Sequence, residues 1–285
     1  MKTHFLNSLR QVVKIESVER ILLQASLKGN SLAKKIIGPN TVFPAGTMRK
    51  CTRNGINYVL DISDYMDHAV YFGFSDLLDF DREDLYSMVQ PHQVIFDVGG
   101  NIGDTALHFA KLQKNTGKIF CFEPVPHLFK RLKHNVSIND FKGISIHNIA
   151  LSDKKEDLFF NLPQSQNSGG IFLSDNITEE SKKVSSVPLD EFCSENQIDK
   201  IDVIKIDVEG FELKVLKGAM LSLKKFKPKM FIEINDLHLH RAGGSAKEVM
   251  LLLEQVGYKI TRADTNETIT SDYDFANKHF DIVCG

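Results

Sequence analysis

From Val94 onward, short apolar runs alternate with longer stretches whose apolar residues recur at helical spacing. The runs 94–98, 118–122, 144–151, 201–206 and 229–235 are short, rich in Ile, Val and Phe, and read as strands buried on both faces. Between them, 105–112, 126–139, 212–223 and 247–256 carry helical periodicity; Leu128, Phe129, Leu132 and Val136 share one face of the second. Strands and helices taken in turn predict an α/β fold with a doubly wound, mostly parallel sheet. Segments 158–162 and 184–189 read as extra extended pieces, and 258–262 and 280–284 as closing strands.

Ahead of this core the pattern differs. Phe5, Leu9, Val12, Val13, Ile21, Leu22 and Leu27 recur near helical spacing and predict amphipathic helices over 1–37. Such helices pack on the core or on a second copy, so a homo-oligomer is one expectation. Gly38-Pro39-Asn40 and Phe43-Pro44-Ala45-Gly46 punctuate a linker. Segments 48–52 and 56–62 flank Arg53-Asn54-Gly55, a hairpin pattern, and 81–88 reads as a polar helix. The expected organisation is therefore a helical extension (1–46), a small hairpin and helix region (47–90) and a core domain (91–285). His68, Tyr71 and Phe72 fit either ordinary aromatic packing or a wall over a ligand. Segment 164–176, with Ser168-Gly169-Gly170, reads as a lid or as a surface loop.

The chemistry concentrates where strands end. The run at 94–98 contains Asp97 and leads into Gly99, Gly100, Asn101 and Gly103, a turn that lets backbone approach a ligand closely. Glu123 ends the next strand about 20 positions on, the spacing at which an acid meets a ribose hydroxyl pair. Asp97 and Asp104 bracket the glycine turn. Two carboxylates there would repel a pyrophosphate and suit a ligand with a cationic end, such as S-adenosylmethionine. Asp207 and Glu233 end further strands, so the fold gathers acids around one crevice. His238 and His240 follow the strand at 229–235. His238 could deprotonate a hydroxyl, or complete a divalent metal site with Asp207, Glu209 and Glu233. Spacing compels neither role, and no residue is assigned as a metal ligand.

Composition narrows the class. The 285 residues are 42% hydrophobic and 25% charged with a formal net charge of -2, which exerts no general pull toward nucleic acid or anionic membrane. Cys51, Cys121, Cys193 and Cys284 are scattered, with no CxxC pair, as in a reducing compartment. No apolar run is long enough to span a bilayer, and the first residues lack the apolar core of a signal peptide. The expectation is a cytoplasmic protein.

Five motifs in order then carry a resemblance: Asp97-Val98-Gly99-Gly100-Asn101-Ile102-Gly103, Phe122-Glu123-Pro124, Asn148-Ile149-Ala150-Leu151, Leu189-Asp190, and Lys205-Ile206-Asp207-Val208-Glu209-Gly210-Phe211-Glu212 with Leu216-Lys217-Gly218-Ala219. Over roughly 50–240 the chain resembles the FkbM-type S-adenosylmethionine-dependent methyltransferases. The resemblance implies a Rossmann-like class I methyltransferase core and O-methylation of a hydroxyl on a sugar, glycan or related small molecule. It places the methionine end of the cofactor against Asp97, Gly99, Asn101 and Gly103, with Gly100 and Asp104 in the same loop. Glu123 and Pro124 would lie at the ribose, and the stretch from Asn148 through Ala150 to Asp153 would border the adenine. Asp207 would lie near the transferred methyl, with Glu209 and Glu212 behind it or on the substrate. Asp207 is then the first candidate for the base or for orienting the acceptor, and His238 the second. The family's loop more often carries alanine where this chain has Gly100. Two other readings of the residues are a nicotinamide-dependent oxidoreductase, disfavoured by the acidic turn and the missing Gly-x-Gly-x-x-Gly run, and a non-catalytic interaction module, disfavoured by the acids at every strand end.

Overall fold

The structure is a computed structural model that describes residues 10, 13–74, 82–161, 172–173 and 182–285. Among these, residues up to 74 form one compact unit and residues from 82 onward another. In the first unit, helices Glu16–Leu27, Ser31–Ile37 and Tyr65–Phe72 accompany the antiparallel pair β1 (Met48–Arg53) and β2 (Ile56–Asp61). Asn54 and Gly55 both take positive φ (49° and 74°), the geometry of a two-residue hairpin loop. The buried Glu19 carboxylate accepts from Arg49 Nε and Nη2, each at 2.8 Å, and from Tyr71 Oη at 2.9 Å, tying the first helix to both later elements. His68 and Phe72 pack with Phe43 and Phe74 in this unit, ring centroids 4.8–6.0 Å apart.

The second unit is the expected doubly wound α/β core. Its strands are β3 (Val94–Val98), β4 (Lys118–Phe122), β5 (Ile144–His147), the short β6 (Ala150–Leu151), β7 (Asp157–Asn161), β8 (Phe172–Leu173) and β9 (Lys182–Val187), then β10 (Val203–Ile206), β11 (Lys229–Asn235), β12 (Ile260–Arg262) and β13 (His279–Cys284). Among the described residues a seven-stranded sheet runs β12-β13-β11-β10-β3-β4-β5. All neighbours from β11 to β5 are parallel, and β13 runs against both β11 and β12. The order reverses between β3 and β10, and ligands of such sheets bind beyond the strand ends at that point.

Alternation along the strands separates the two faces. Phe96, Val98, Phe122, Ile204, Ile206, Met230, Ile232 and Ile282 meet apolar residues of helices Leu189–Glu195, Glu212–Lys217 and Ala246–Val256. On the other face Ile95, Ile119, Val203 and Phe231 meet Leu85, Ala106, Phe109 and Leu132. Each face excludes water, so a polar side chain on either must find partners.

Two expected elements are broken. The segment expected as one strand over 144–151 splits after His147. Asn148 Nδ2 donates to the carbonyls of Glu123 (2.8 Å) and Pro124 (2.9 Å) and turns the chain out of the sheet. Ala150 and Leu151 then pair in parallel with Ser186 and Val187, in a smaller sheet ordered β6-β9-β7-β8. The helix expected over 212–223 is two helices, Glu212–Lys217 and Met220–Phe226. Gly218 O accepts from Asp190 N (2.9 Å), and the Asp190 carboxylate accepts from Leu221 N (2.8 Å) and Ser222 N (2.7 Å). The side chain thereby caps a new helix start. The lid or loop expected over 164–176 falls, apart from β8, outside the described residues. No helix among the described residues is long and apolar enough to cross a membrane.

Candidate active site

The site grows out of the sheet face that carries Ile95, Ile119, Val203 and Phe231. Toward the carboxyl edge, each of these strands changes from apolar to polar on that face: Ile95 to Asp97, Ile119 to Cys121 and Glu123, Val203 to Lys205 and Asp207, Phe231 to Glu233. The reversed strand β13 does the same in the opposite chain direction, from Val283 through Asp281 to His279, because Phe231 and Glu233 pair with Val283 and Asp281. One end of one face is thus a polar rim.

Between β3 and β4 the glycine turn is held by backbone. Gly99 N and Gly100 N both donate to Phe122 O, at 3.0 and 2.9 Å. Gly99 has φ 88°, and a Cβ there would fall 1.8 Å from Asp207 O, so the two strand ends touch only because this residue is glycine. Asn101 is left-handed (φ 48°) and its N–H donates to Glu123 Oε2 at 2.8 Å. Glu123 Oε1 accepts from Val125 N at 2.8 Å. Burial pushes the Glu123 carboxyl up to about 7, against those two backbone donors. Asn101 Oδ1 is buried and takes no hydrogen bond. Gly103 (φ 91°) leads into helix Asp104–Leu112, where Asp104 Oδ1 lies 3.4 Å from His108 Nδ1. Pro124 and Asn148 are joined at the exit of β4, and Ala150 is buried within β6.

Asp97 is completely buried. Its cross-strand neighbours are Lys205 on β10 and Cys121 on β4. Lys205 Nζ lies 3.5 Å from Asp97 Oδ1 and 3.2 Å from Asp207 Oδ2, and donates to Gly99 O at 2.9 Å. The Cys121 thiol donates to Asp97 Oδ2 at 3.6 Å. Burial raises the Asp97 carboxyl above its ordinary range while the Lys205 ammonium opposes it. Sequence reading gave Lys205 no role of its own, because one lysine in an apolar strand carries no sign of its neighbour until the register is known.

A second group lies beyond β10 and β11. Asp207, Glu209 and Glu233 bring carboxylate oxygens within 4.8 Å of one another, so these three could hold a cation. Glu209 is left-handed (φ 53°) and is followed by Gly210 at φ 105°. The turn is fixed by Glu212 Oε1, which accepts from Val208 N and Gly210 N, each at 3.1 Å. Glu212 therefore shapes the loop; burial raises its carboxyl to about 8. Burial, with the neighbouring acids, also raises Glu209 and Glu233. His238 Nδ1 is 2.8 Å from Glu209 Oε2, close although not aligned as a hydrogen bond. Burial lowers the His238 imidazole. His279 Nε2 bonds Glu233 Oε1 at 2.9 Å, which raises its imidazole to about 9. His240 sits apart, mostly exposed, 3.4 Å from Asp236 Oδ2.

The methyltransferase FkbM domain description matches residues 97–260. The chain belongs to the FkbM methyltransferase family. Over 185 residues it is 30% identical to the hexuronic acid methyltransferase AglP of Haloferax volcanii, covering 64% of this chain and 71% of that one. Over 187 residues it is 27% identical to the 2-O-methyltransferase NoeI of Sinorhizobium fredii, covering 60% of this chain and 75% of that one. A solved FkbM methyltransferase from Methylobacillus flagellatus is similar at TM-score 0.46 and 16% identity, over 78% of this chain and 55% of that one. Family membership sets aside the oxidoreductase and interaction-module readings: this FkbM chain is a methyltransferase.

It also divides the motifs by what they touch. The glycine loop, Glu123 and the Lys205–Glu212 block meet at the carboxyl edge. Leu189-Asp190 and Gly218-Ala219 meet each other instead, where a Cβ on Gly218 would fall 1.9 Å from Ser152 O. These two motifs are scaffold.

Proposed function

We propose that this FkbM methyltransferase carries the methyl group of S-adenosylmethionine to a hydroxyl of a sugar, glycan or related small molecule. The observation that carries the cofactor reading is the cradle around Gly99, Asn101 and Glu123. Gly99 packs directly against Asp207 O, and the cradle holds a buried, unused oxygen on Asn101 beside the buried Glu123 carboxylate. Asp97, Gly99, Gly100, Asn101, Gly103 and Asp104 would face the amino-acid end of the cofactor, and Glu123 with Pro124 the ribose. Asn148 and Ala150 would border the adenine from the turn they form. The names of AglP and NoeI support a sugar-type hydroxyl as acceptor.

S-adenosylmethionine supplies an electrophilic methyl; the chain must align the acceptor oxygen about 3–3.5 Å from it and take up the hydroxyl proton. Asp207 sits at the point where the strand order reverses and is ion-paired with Lys205, a contact that fixes the carboxylate and suits it to orienting the acceptor. His238 suits the base. Burial lowers its imidazole, which leaves it neutral and able to accept a proton near pH 7, and Glu209 lies beside Nδ1. As the acceptor oxygen takes the methyl, its hydroxyl proton would pass to His238. Asp207, Glu209 and Glu233 could also hold a divalent ion, and assays with and without chelator decide whether turnover needs one. Free thiols at all four cysteines support a cytoplasmic setting.

The test is transfer of labelled methyl from S-adenosylmethionine to hexuronic acids and to glycans with free hydroxyls, the product methyl ether being placed by mass spectrometry. Hydroxyl-dependent labelling is expected. Labelling confined to nitrogen or carbon acceptors would refute the O-methylation reading.

A further inference from the structure

The buried lysine of β10 stands among three acceptors drawn from the two strand ends that flank the reversal of strand order. Asp97 is the last polar side chain of β3 on its face, Gly99 O belongs to the glycine turn, and Asp207 follows β10. The ammonium donates to Gly99 O and lies at ion-pair distance from the two carboxylates, of which Asp97 Oδ1 is buried and takes no hydrogen bond. Lys205 is only 6% exposed, so its charge is matched inside the protein rather than by water. An ion pair serving the scaffold alone would need Asp97; contacts to Gly99 O and Asp207 are redundant for that purpose. They link Lys205 to the loop and to the acid on either side of the place proposed for the amino-acid end of the cofactor.

We infer that Lys205 is a positioning residue for the amino-acid end of S-adenosylmethionine, acting through Asp97, the Gly99 carbonyl and Asp207 rather than by touching the ligand. The inference rests on the cofactor reading above. Lys205 keeps Asp97 an acceptor, because a fully buried carboxylate deprived of its cation takes up a proton and turns from acceptor to donor. The titratable groups facing Asp97 are Lys205 and Asp207 from β10 and its exit, and the Cys121 thiol and Glu123 from β4 and its exit. Only Lys205 among them is a cation. It also fixes the direction of the Gly99 carbonyl, and with it the opening angle of the turn. The adenosine end, proposed at Glu123 and Asn148, feels the Lys205 charge through the Glu123 carboxyl.

Two ligands separate the ends. S-adenosylhomocysteine carries both; 5′-methylthioadenosine keeps the adenosine and thioether and lacks the amino-acid group. Calorimetric titration of both is made on the wild-type full chain and on Lys205→Met, with thermal melting as the folding control. Lys205→Met is expected to lose about tenfold or more in affinity for S-adenosylhomocysteine, the scale of one charge-assisted hydrogen bond, and to lose distinctly less for 5′-methylthioadenosine, whose ribose feels the missing charge through Glu123 alone. Equal loss for both ligands would make Lys205 a scaffold residue and overturn the inference. Unchanged or tighter binding of S-adenosylhomocysteine would overturn it too, the latter showing the lysine as a competitor for the ligand's place. Should Lys205→Met not fold, Lys205→Gln keeps a donor for Gly99 O without the charge and is read the same way. A wild-type protein that binds neither ligand refutes the cofactor reading itself, a result distinct from a wild type that binds both and a variant that loses both alike.

Discussion

In the proposed cofactor site, Glu123 would couple binding to pH. Its carboxyl is raised to about 7 from an ordinary 4.5 because it is buried, and a ribose hydroxyl needs the ionised form as acceptor. Below pH 7 the group is protonated and the acceptor is lost. Affinity for S-adenosylhomocysteine is therefore expected to rise between pH 6 and 8, and Glu123→Gln is expected to bind more weakly and without that slope; calorimetry across the range reads both. Turnover separates the other two roles. His238→Ala is expected to lower kcat by about a hundredfold or more with little change in cofactor affinity, as removal of a general base does. Asp207→Asn is expected to raise the acceptor KM as well, because the acid orients. Asp97, Gly99 and Glu123 were legible in the sequence because each ends an apolar run and their spacing repeats a known geometry. Lys205 and His279 were not. One depends on strand register, and the other stands at the start of a strand whose reversed direction the sequence does not announce.

At the scale of elements, close approaches decide which residues the turns accept. A Cβ on Gly100 would lie 2.2 Å from Cys121 Sγ and 3.0 Å from Leu132 Cδ1. The thiol fills the space an alanine methyl would take, which accounts for glycine here. Gly100→Ala is expected to destabilise the core by about 1–3 kcal/mol through overpacking, and Cys121→Ala added to it to recover part of the loss. Denaturant titration of the single and double variants measures both. Asp190→Ala, which removes the acceptor of two backbone N–H groups, is expected to cost about 0.5–2 kcal/mol and to leave cofactor affinity unchanged. The helix break at Gly218 escaped sequence reading because its cause, Asp190, lies 28 positions away in the chain. The exit of β5 escaped for the same reason: Asn148 looks like any residue of a β-prone run until its amide meets the carbonyls after β4.

For the whole molecule, the strand order, the reversal between β3 and β10 and the rim of one sheet face agree with the alternation of apolar and polar residues. Long-range pairing, not local propensity, supplied what the sequence left open. Gathering acids on one rim has a general consequence. Glu123 and Glu212 keep their protons to about pH 7 and 8 in the folded chain, whereas the unfolded chain loses them near 4.5. The unfolded state then binds fewer protons, so stability falls as pH rises through that interval. His279, raised to about 9 from 6.5, acts in the same direction, its contribution being lost as pH rises toward 9. His68, lowered to about 4, acts the other way and is finished by pH 6.5. The melting temperature of the ligand-free protein is expected to fall between pH 6.5 and 8.5, and an increase across that range would refute this reading of the acids.

In the proposed reading, S-adenosylmethionine occupies the crevice at the ends of β3 and β10. Calorimetric titration of the wild-type protein with S-adenosylmethionine, S-adenosylhomocysteine and NADH tests it most directly. Micromolar binding of both sulfur ligands at one site per chain, with no heat from NADH, is expected; binding of NADH, or of neither sulfur ligand, would contradict the account.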